Sequence, residues 1–289
     1  MGRWARSKQL VAASWSVVAH DKELMVLPLL SGLAGLALAS TFLVPIWTTS
    51  MGTDAMTGET TFSPGAPQWL AMFVMYIVLA YASLFFKTAL ICGADERMRG
   101  GNPTVSSALA SATAHAGRIL PWAIVTATVS FILRAAEERA GFLGRILIGL
   151  VGVAWAVVTF LVLPVLVFEQ VSVGKAVSRS AEMLKHTWGE NLIVNTGIGL
   201  VTFVAMLPAF IGIAAGAATG TALGFGTMVV LGILWVIGVA CWSSAMSAVF
   251  QLALYRYATE GVAPEAFRAV DFGSAFTTRS SRRRTSFGF

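Results

Sequence analysis

Charge is scarce in this chain. Only 12% of its 289 residues are Asp, Glu, Lys or Arg, whereas 56% are apolar. A soluble domain carries roughly twice that charge, and a chain this apolar has too few charges to coat a water-facing surface. That excludes an ordinary soluble domain and leaves the bilayer, where lipid solvates apolar side chains directly. Cysteine is nearly absent. Cys92 and Cys241 each lie in or beside an apolar run, which excludes a disulfide framework and reads as two small buried hydrophobes. Histidine is limited to His20, His115 and His186. No carboxylate or cysteine spacing accompanies them, so neither a metal site nor a cofactor is expected. Serines are many, but none stands in a nucleophile elbow, and no Gly-rich phosphate loop opens a soluble helix. An enzyme is therefore not expected.

Long uncharged runs are abundant. About 20 apolar residues cross a hydrocarbon core, and six candidate spans emerge: 24–47, 68–91, 119–136, 146–168, and two within the stretch from Asn191 to Tyr255, which holds no Asp, Glu, Lys or Arg. A Gly/Ala/Thr-rich segment near 214–226 divides that stretch into two spans, with two spans plus a re-entrant piece as the alternative. Ala37-Leu38-Ala39 has the form of a signal-peptide cleavage site. The long basic leader and the apolar run continuing through Ile46 point instead to a retained span. The expected fold is all-α: a polytopic helical bundle over 1–268, followed by a basic, disordered tail over 269–289.

The net charge of +6 reads as topology and not as nucleic-acid binding. With six spans, one face carries both termini and the loops 92–118 and 169–190. Only Arg134, Arg139 and Arg145 of the 20 basic residues fall on the other face. The basic face is thus expected in the cytoplasm of a plasma-membrane protein. The connection 48–67, with only Asp54 and Glu59 as charges, reads as an irregular exposed loop.

A segment with helical periodicity precedes each odd span. These are 3–19 with Trp4, Val11, Trp15 and Val18, then 104–117, then 173–188 with Val173, Ala176, Val177, Ala181, Leu184 and Trp188 on one face. Such helices are expected to lie flat at the headgroups. The chain then reads as three parallel hairpin repeats.

Several polar groups are candidates for function. Glu169 ends span four, five residues after Pro164, and Arg179 is its expected partner in an interfacial ion pair. Asn191, Asn195 and Gln251 are intramembrane polar groups, either lining a solute path or bonding helices together. Gly212, Gly216, Gly220 and Gly224 recur every four residues, a smooth stripe for helix packing if one helix carries them, or loop glycines if none does. Lys87 is placed to snorkel, and Asp95, Glu96, Arg97 and Arg99 read as a solvated interface. Arg282, Arg283 and Arg284 should attract anionic lipid of the cytoplasmic leaflet. Anionic lipids, and a membrane-protein partner, are the expected partners.

The segment 164–195, PVLVFEQVSVGKAVSRSAEMLKHTWGENLIVN, and the start SWSVVAHDKELMVLPLLSG at 14–32 carry a resemblance. They resemble a broad family of uncharacterised prokaryotic six-span membrane proteins, a domain of unknown function. They are also similar to the membrane domain fused to some glycerophosphodiester phosphodiesterases. The resemblance covers about 3–260 and implies a six-helix fold. It implies no activity, and no segment could form the phosphodiesterase barrel. Two roles follow: a non-enzymatic component organising lipid or proteins at the cytoplasmic face, or a transporter for a small or lipidic solute.

Overall fold

A computed structural model of the protein describes residues 22–53, 60–218 and 220–260, with the side chains of 22–24, 53, 185–198, 200 and 201 outside that description. The first amphipathic segment, 3–19, and the tail therefore lie outside the described residues.

The described residues form seven helices and one small hairpin. Helix α1 covers Lys22–Ser50, followed by strands β1 (Met51–Thr53) and β2 (Thr60–Phe62). Then come α2 (Ala66–Met98), α3 (Val105–Arg139), α4 (Phe142–Val158), the short α5 (Val162–Phe168), α6 (Val173–Ala218) and α7 (Ala222–Glu260). Five segments are long and apolar enough to cross a membrane: Met25–Ser50, Ala66–Met98, Val105–Arg139, Phe142–Phe168 and Ala222–Glu260. The described part of α6 adds a shorter apolar stretch, Thr202–Ala218. The protein is an all-α, multi-pass membrane protein.

The end signals are local. Thr104 caps α3, accepting from the Ser107 N–H at 3.1 Å while the Ser107 hydroxyl accepts from the Thr104 N–H, a reciprocal box that satisfies two otherwise orphaned donors. Gly220, at φ 66°, makes the turn between α6 and α7, a conformation that costs glycine nothing.

Four expectations from the sequence need correction. The connection after α1 is not wholly irregular, because Met51, Gly52 and Thr53 pair antiparallel with Phe62, Thr61 and Thr60. The segments 104–117 and 173–188 are not separate surface helices. Each runs into its span as one continuous helix, and their apolar residues Ala108, Ala112, Ala176, Met183 and Leu184 face a packed core instead of lipid. Span four is broken at 159–161 into α4 and α5. The glycine stripe is divided: Gly212 and Gly216 lie on α6, Gly220 in the turn and Gly224 on α7.

Burial divides the molecule into two layers. Large exposed hydrophobics fall at 26–47 of α1, 69–74 of α2, 120–132 of α3, 142–153 of α4, 203–211 of α6 and 223–237 of α7, and at Met51 and Phe62 of the hairpin. The main buried cluster lies mostly beyond this belt, with Leu27 and Trp122 inside its ranges. It is built from Ala89–Ala94 of α2, Ala108 and Ala112 of α3, α5, Ala176–Leu184 of α6 and Ala245–Tyr255 of α7. The outward residues of this second layer are polar or small: Thr104, Ser106, Thr113, Ser172, Lys175, Ser178, Glu182 and Thr259. An apolar outside with little inside is what lipid solvates; a polar outside over an apolar core is what water requires. On α2, Ala66 to Lys87 spans about 30 Å at 1.5 Å per residue, the thickness of a hydrocarbon core. The helices thus outrun the lipid at one end and pack there. Residues 162–167 of α5 are all buried, as a helix apolar all round must be.

Candidate functional site: the polar groups of the packed end

Three polar clusters sit in the packed layer. The first closes the break in span four. Pro164 has no N–H, so the carbonyl of Phe160, four residues earlier, loses its helical donor. The Gln251 amide of α7 donates to that carbonyl instead. One step away, the fully buried Ser180 of α6 donates to the Val158 carbonyl at 2.6 Å and accepts from the Leu161 N–H at 3.1 Å. A break in a buried helix leaves orphaned backbone groups, and two side chains from two later helices satisfy these. Gln251 is therefore an interhelical bond. Its Oε1 is buried without a hydrogen-bond partner.

The second cluster is an arginine clamp. Asp95 is only 8% exposed. Its Oδ1 accepts from Arg256 Nε at 2.9 Å and from Nη2, and its Oδ2 faces Arg99 Nε at 3.0 Å. A side-on carboxylate–guanidinium contact of this kind fixes geometry as well as charge. It ties α2 to α7 across 161 residues of sequence. Asp95 is thus no solvated surface acid. No local sequence pattern pairs it with Arg256; its one signal is an acid that ends a long uncharged run broken only by Lys87.

Glu169 centres the third. Arg179 Nε lies 3.6 Å from its Oε1, and the Tyr255 hydroxyl donates to the same oxygen at 3.5 Å. Arg179 also meets Glu182 at 3.3 Å, and Tyr255 stacks on Phe168 at 5.5 Å. The contact is long and partly wet, with side chains 43% and 26% exposed. It docks the start of α6 on α5 and α7. Beside it Gln170 takes a positive φ of 55°, and Arg118 Nη2 donates to its Oε1 at 3.0 Å.

The other candidates are dispersed. Asn191 and Asn195 fall on α6, but their side chains lie outside the described residues. So do His20, the side chain of His186, and Arg282, Arg283 and Arg284. His115 Nδ1 meets the Ser111 carbonyl at 2.7 Å. Among the described residues no three His, Cys, Asp or Glu come together as metal ligands, and Cys92 and Cys241 are free thiols. A Cβ on Gly216 would stand 2.6 Å from Met228 Cβ and 3.0 Å from the Gly224 carbonyl oxygen, so this glycine lets α6 and α7 touch. Gly212 has open space. At the far end of the lipid belt, Leu43, Val44, Ile46, Trp47, Thr48, Phe62 and Met72 line an apolar groove of about 650 Å³.

No curated protein and no solved structure matches the chain, so nothing ties it to glycerophosphodiester phosphodiesterases. The family model DUF6159, a family of unknown function, matches residues 66–265, which run from the start of α2 past the end of α7 and take in all three clusters. With well over half of its length matched, this multi-pass membrane protein belongs to the DUF6159 family, a family of unknown function.

Proposed function

We propose that this protein is a non-enzymatic organiser of lipid and partner proteins at the cytoplasmic face of the plasma membrane. The observation that carries the reading is the division of the bundle: its packed core lies beyond the lipid belt, under a polar outer surface. A transporter needs a polar path at mid-membrane. Among the described residues, the belt carries an apolar groove with no charged lining residue, which suits an acyl chain. All three polar clusters act as struts between helices, and struts make a rigid platform. Among the described residues most of the basic positions stand at the packed end, which supports a cytoplasmic platform and six crossings with both termini inside. Anionic lipid and a membrane-protein neighbour are its expected contacts.

The test is mass spectrometry of the chain extracted with its native lipids, alongside tags on both termini. Enriched anionic lipid or a stoichiometric subunit, with both tags cytoplasmic, supports the proposal. Solute uptake by proteoliposomes, with no lipid or subunit retained, overturns it in favour of the transporter.

A further inference from the structure

Lys87 is a basic group that the three struts leave out. It lies in α2 where the lipid belt meets the packed layer, half-buried. Among the described residues it has no ion-pair partner. The remainder of its own span, 66–94, contains no acid, and neither do 105–136 of α3 or 25–50 of α1. The nearest acid on α2 is Asp95, about 12 Å along the axis at 1.5 Å per residue and already held by two arginines. Helical Cα–Cβ bonds tilt toward the helix N-terminus. On α2 that direction is toward lipid, so the stem leads the ammonium away from the clamp. Snorkelling to the packed end runs against the backbone geometry.

The side of α2 that carries Lys87 has an opening beside it. Phe73 and Tyr76 touch Phe131 of α3, with ring centroids 5.4 and 6.0 Å apart. Two heptads inward along both antiparallel helices, Lys87 comes opposite Gly117, because positions seven apart stay on nearly one stripe. A Cβ on Gly117 would meet nothing within 4 Å, so the seam is open there. Exposed Ser83 stands one turn away toward the lipid, whereas the Thr113 hydroxyl on the other side already donates to the Ala110 carbonyl at 2.6 Å. Pro121 offers no N–H to the Gly117 carbonyl, which leaves that oxygen available to a hydroxyl group.

We propose that Lys87 seats a phosphate group in the seam between α2 and α3, at the height where lipid headgroup meets acyl chain. The inference rests on the lipid-organising reading and gives it an address. An intramembrane cation calls for a counter-ion, and a phosphate supplies one with oxygen acceptors for the ammonium and the Ser83 hydroxyl. The free Gly117 carbonyl favours a headgroup with its own hydroxyl donor, such as phosphoglycerol.

The experiment uses the full chain in nanodiscs and reads reductive methylation of Lys87 by mass spectrometry. Three conditions are compared: phosphatidylcholine alone, phosphatidylcholine with phosphatidylglycerol, and phosphatidylcholine with inorganic phosphate in solution. Phosphatidylglycerol is expected to slow Lys87 methylation about tenfold, as a charge-assisted bond implies. Gly117→Leu, which fills the seam and keeps the charge, should abolish that protection. Lys87→Arg should retain the lipid in native mass spectra and Lys87→Met should lose it. Protection by inorganic phosphate supports the seat and assigns its ligand to the aqueous phase. Equal methylation in all three conditions overturns the seat, a result read on the wild-type chain. If anionic lipid still copurifies in excess, only the seat fails and the lipid-organising reading stands.

Discussion

Removing one hydroxyl should loosen the whole packed layer. Ser180 is fully buried and serves two backbone groups of another helix, the Val158 carbonyl and the Leu161 N–H. Ser180→Ala deletes both bonds and adds no group that could replace them. Each buried backbone group left unpaired costs roughly 1–3 kcal/mol, so the change is expected to cost about 2–6 kcal/mol. At roughly 2–4 °C per kcal/mol for a chain of this size, the unfolding midpoint should fall by at least about 4 °C. Thermal unfolding in a mild detergent, followed by tryptophan fluorescence, reads this directly. The control is Ser178→Ala, an exposed serine on the same helix, which should stay within about 0.5 kcal/mol of the parent. If Ser180→Ala unfolds with the parent, the break between α4 and α5 is not held from α6, and the account of it fails.

Three further outcomes follow from the same contacts. Gln251→Leu and Pro164→Ala should couple, because Pro164→Ala restores a donor to the Phe160 carbonyl that Gln251 otherwise serves; a double-mutant cycle in unfolding free energy should show about 0.5–2 kcal/mol of interaction, and strict additivity would refute the assignment. Asp95→Asn should cost about 3 kcal/mol by stranding Arg256, whose side chain is 13% exposed. Arg99→Ala, removing a side chain 66% exposed, should cost under about 1 kcal/mol in the same unfolding assay. Gly216→Ala should destabilise by about 1–3 kcal/mol through its clash with Met228, whereas Gly212→Ala, with open space, should be neutral or stabilising by up to about 1 kcal/mol; equal effects at the two glycines would argue against the close approach.

The sequence was informative where the signal is one-dimensional. Uncharged length marked the spans, and the Gly/Thr cluster near 214–226 marked the turn that Gly220 makes. The Glu169–Arg179 spacing was also readable, because one turn separates the two residues, and they stand 3.6 Å apart. Hydropathy cannot tell a residue facing lipid from one facing protein, however. Ala176 therefore read as lipid-facing surface, although it packs against a core. The break at 159–161 was hidden for a related reason: every residue around it except Thr159 is apolar, and Ser180 and Gln251, which make the break tolerable, lie 19 and 91 residues away. Asp95 and Arg256 pair across a comparable distance, and nothing near either residue names the other.

The interrupted fourth crossing also bears on how the protein is made. Its loose carbonyls and amide are closed by groups on α6 and α7, which leave the ribosome after it. Until those helices arrive, a nascent chain carries bare backbone dipoles in a region otherwise sealed. Chains truncated near residue 172 should therefore linger with insertion chaperones or be degraded, while the hairpin of α1 and α2 can be released early. Completion of the last crossing becomes the checkpoint of biogenesis.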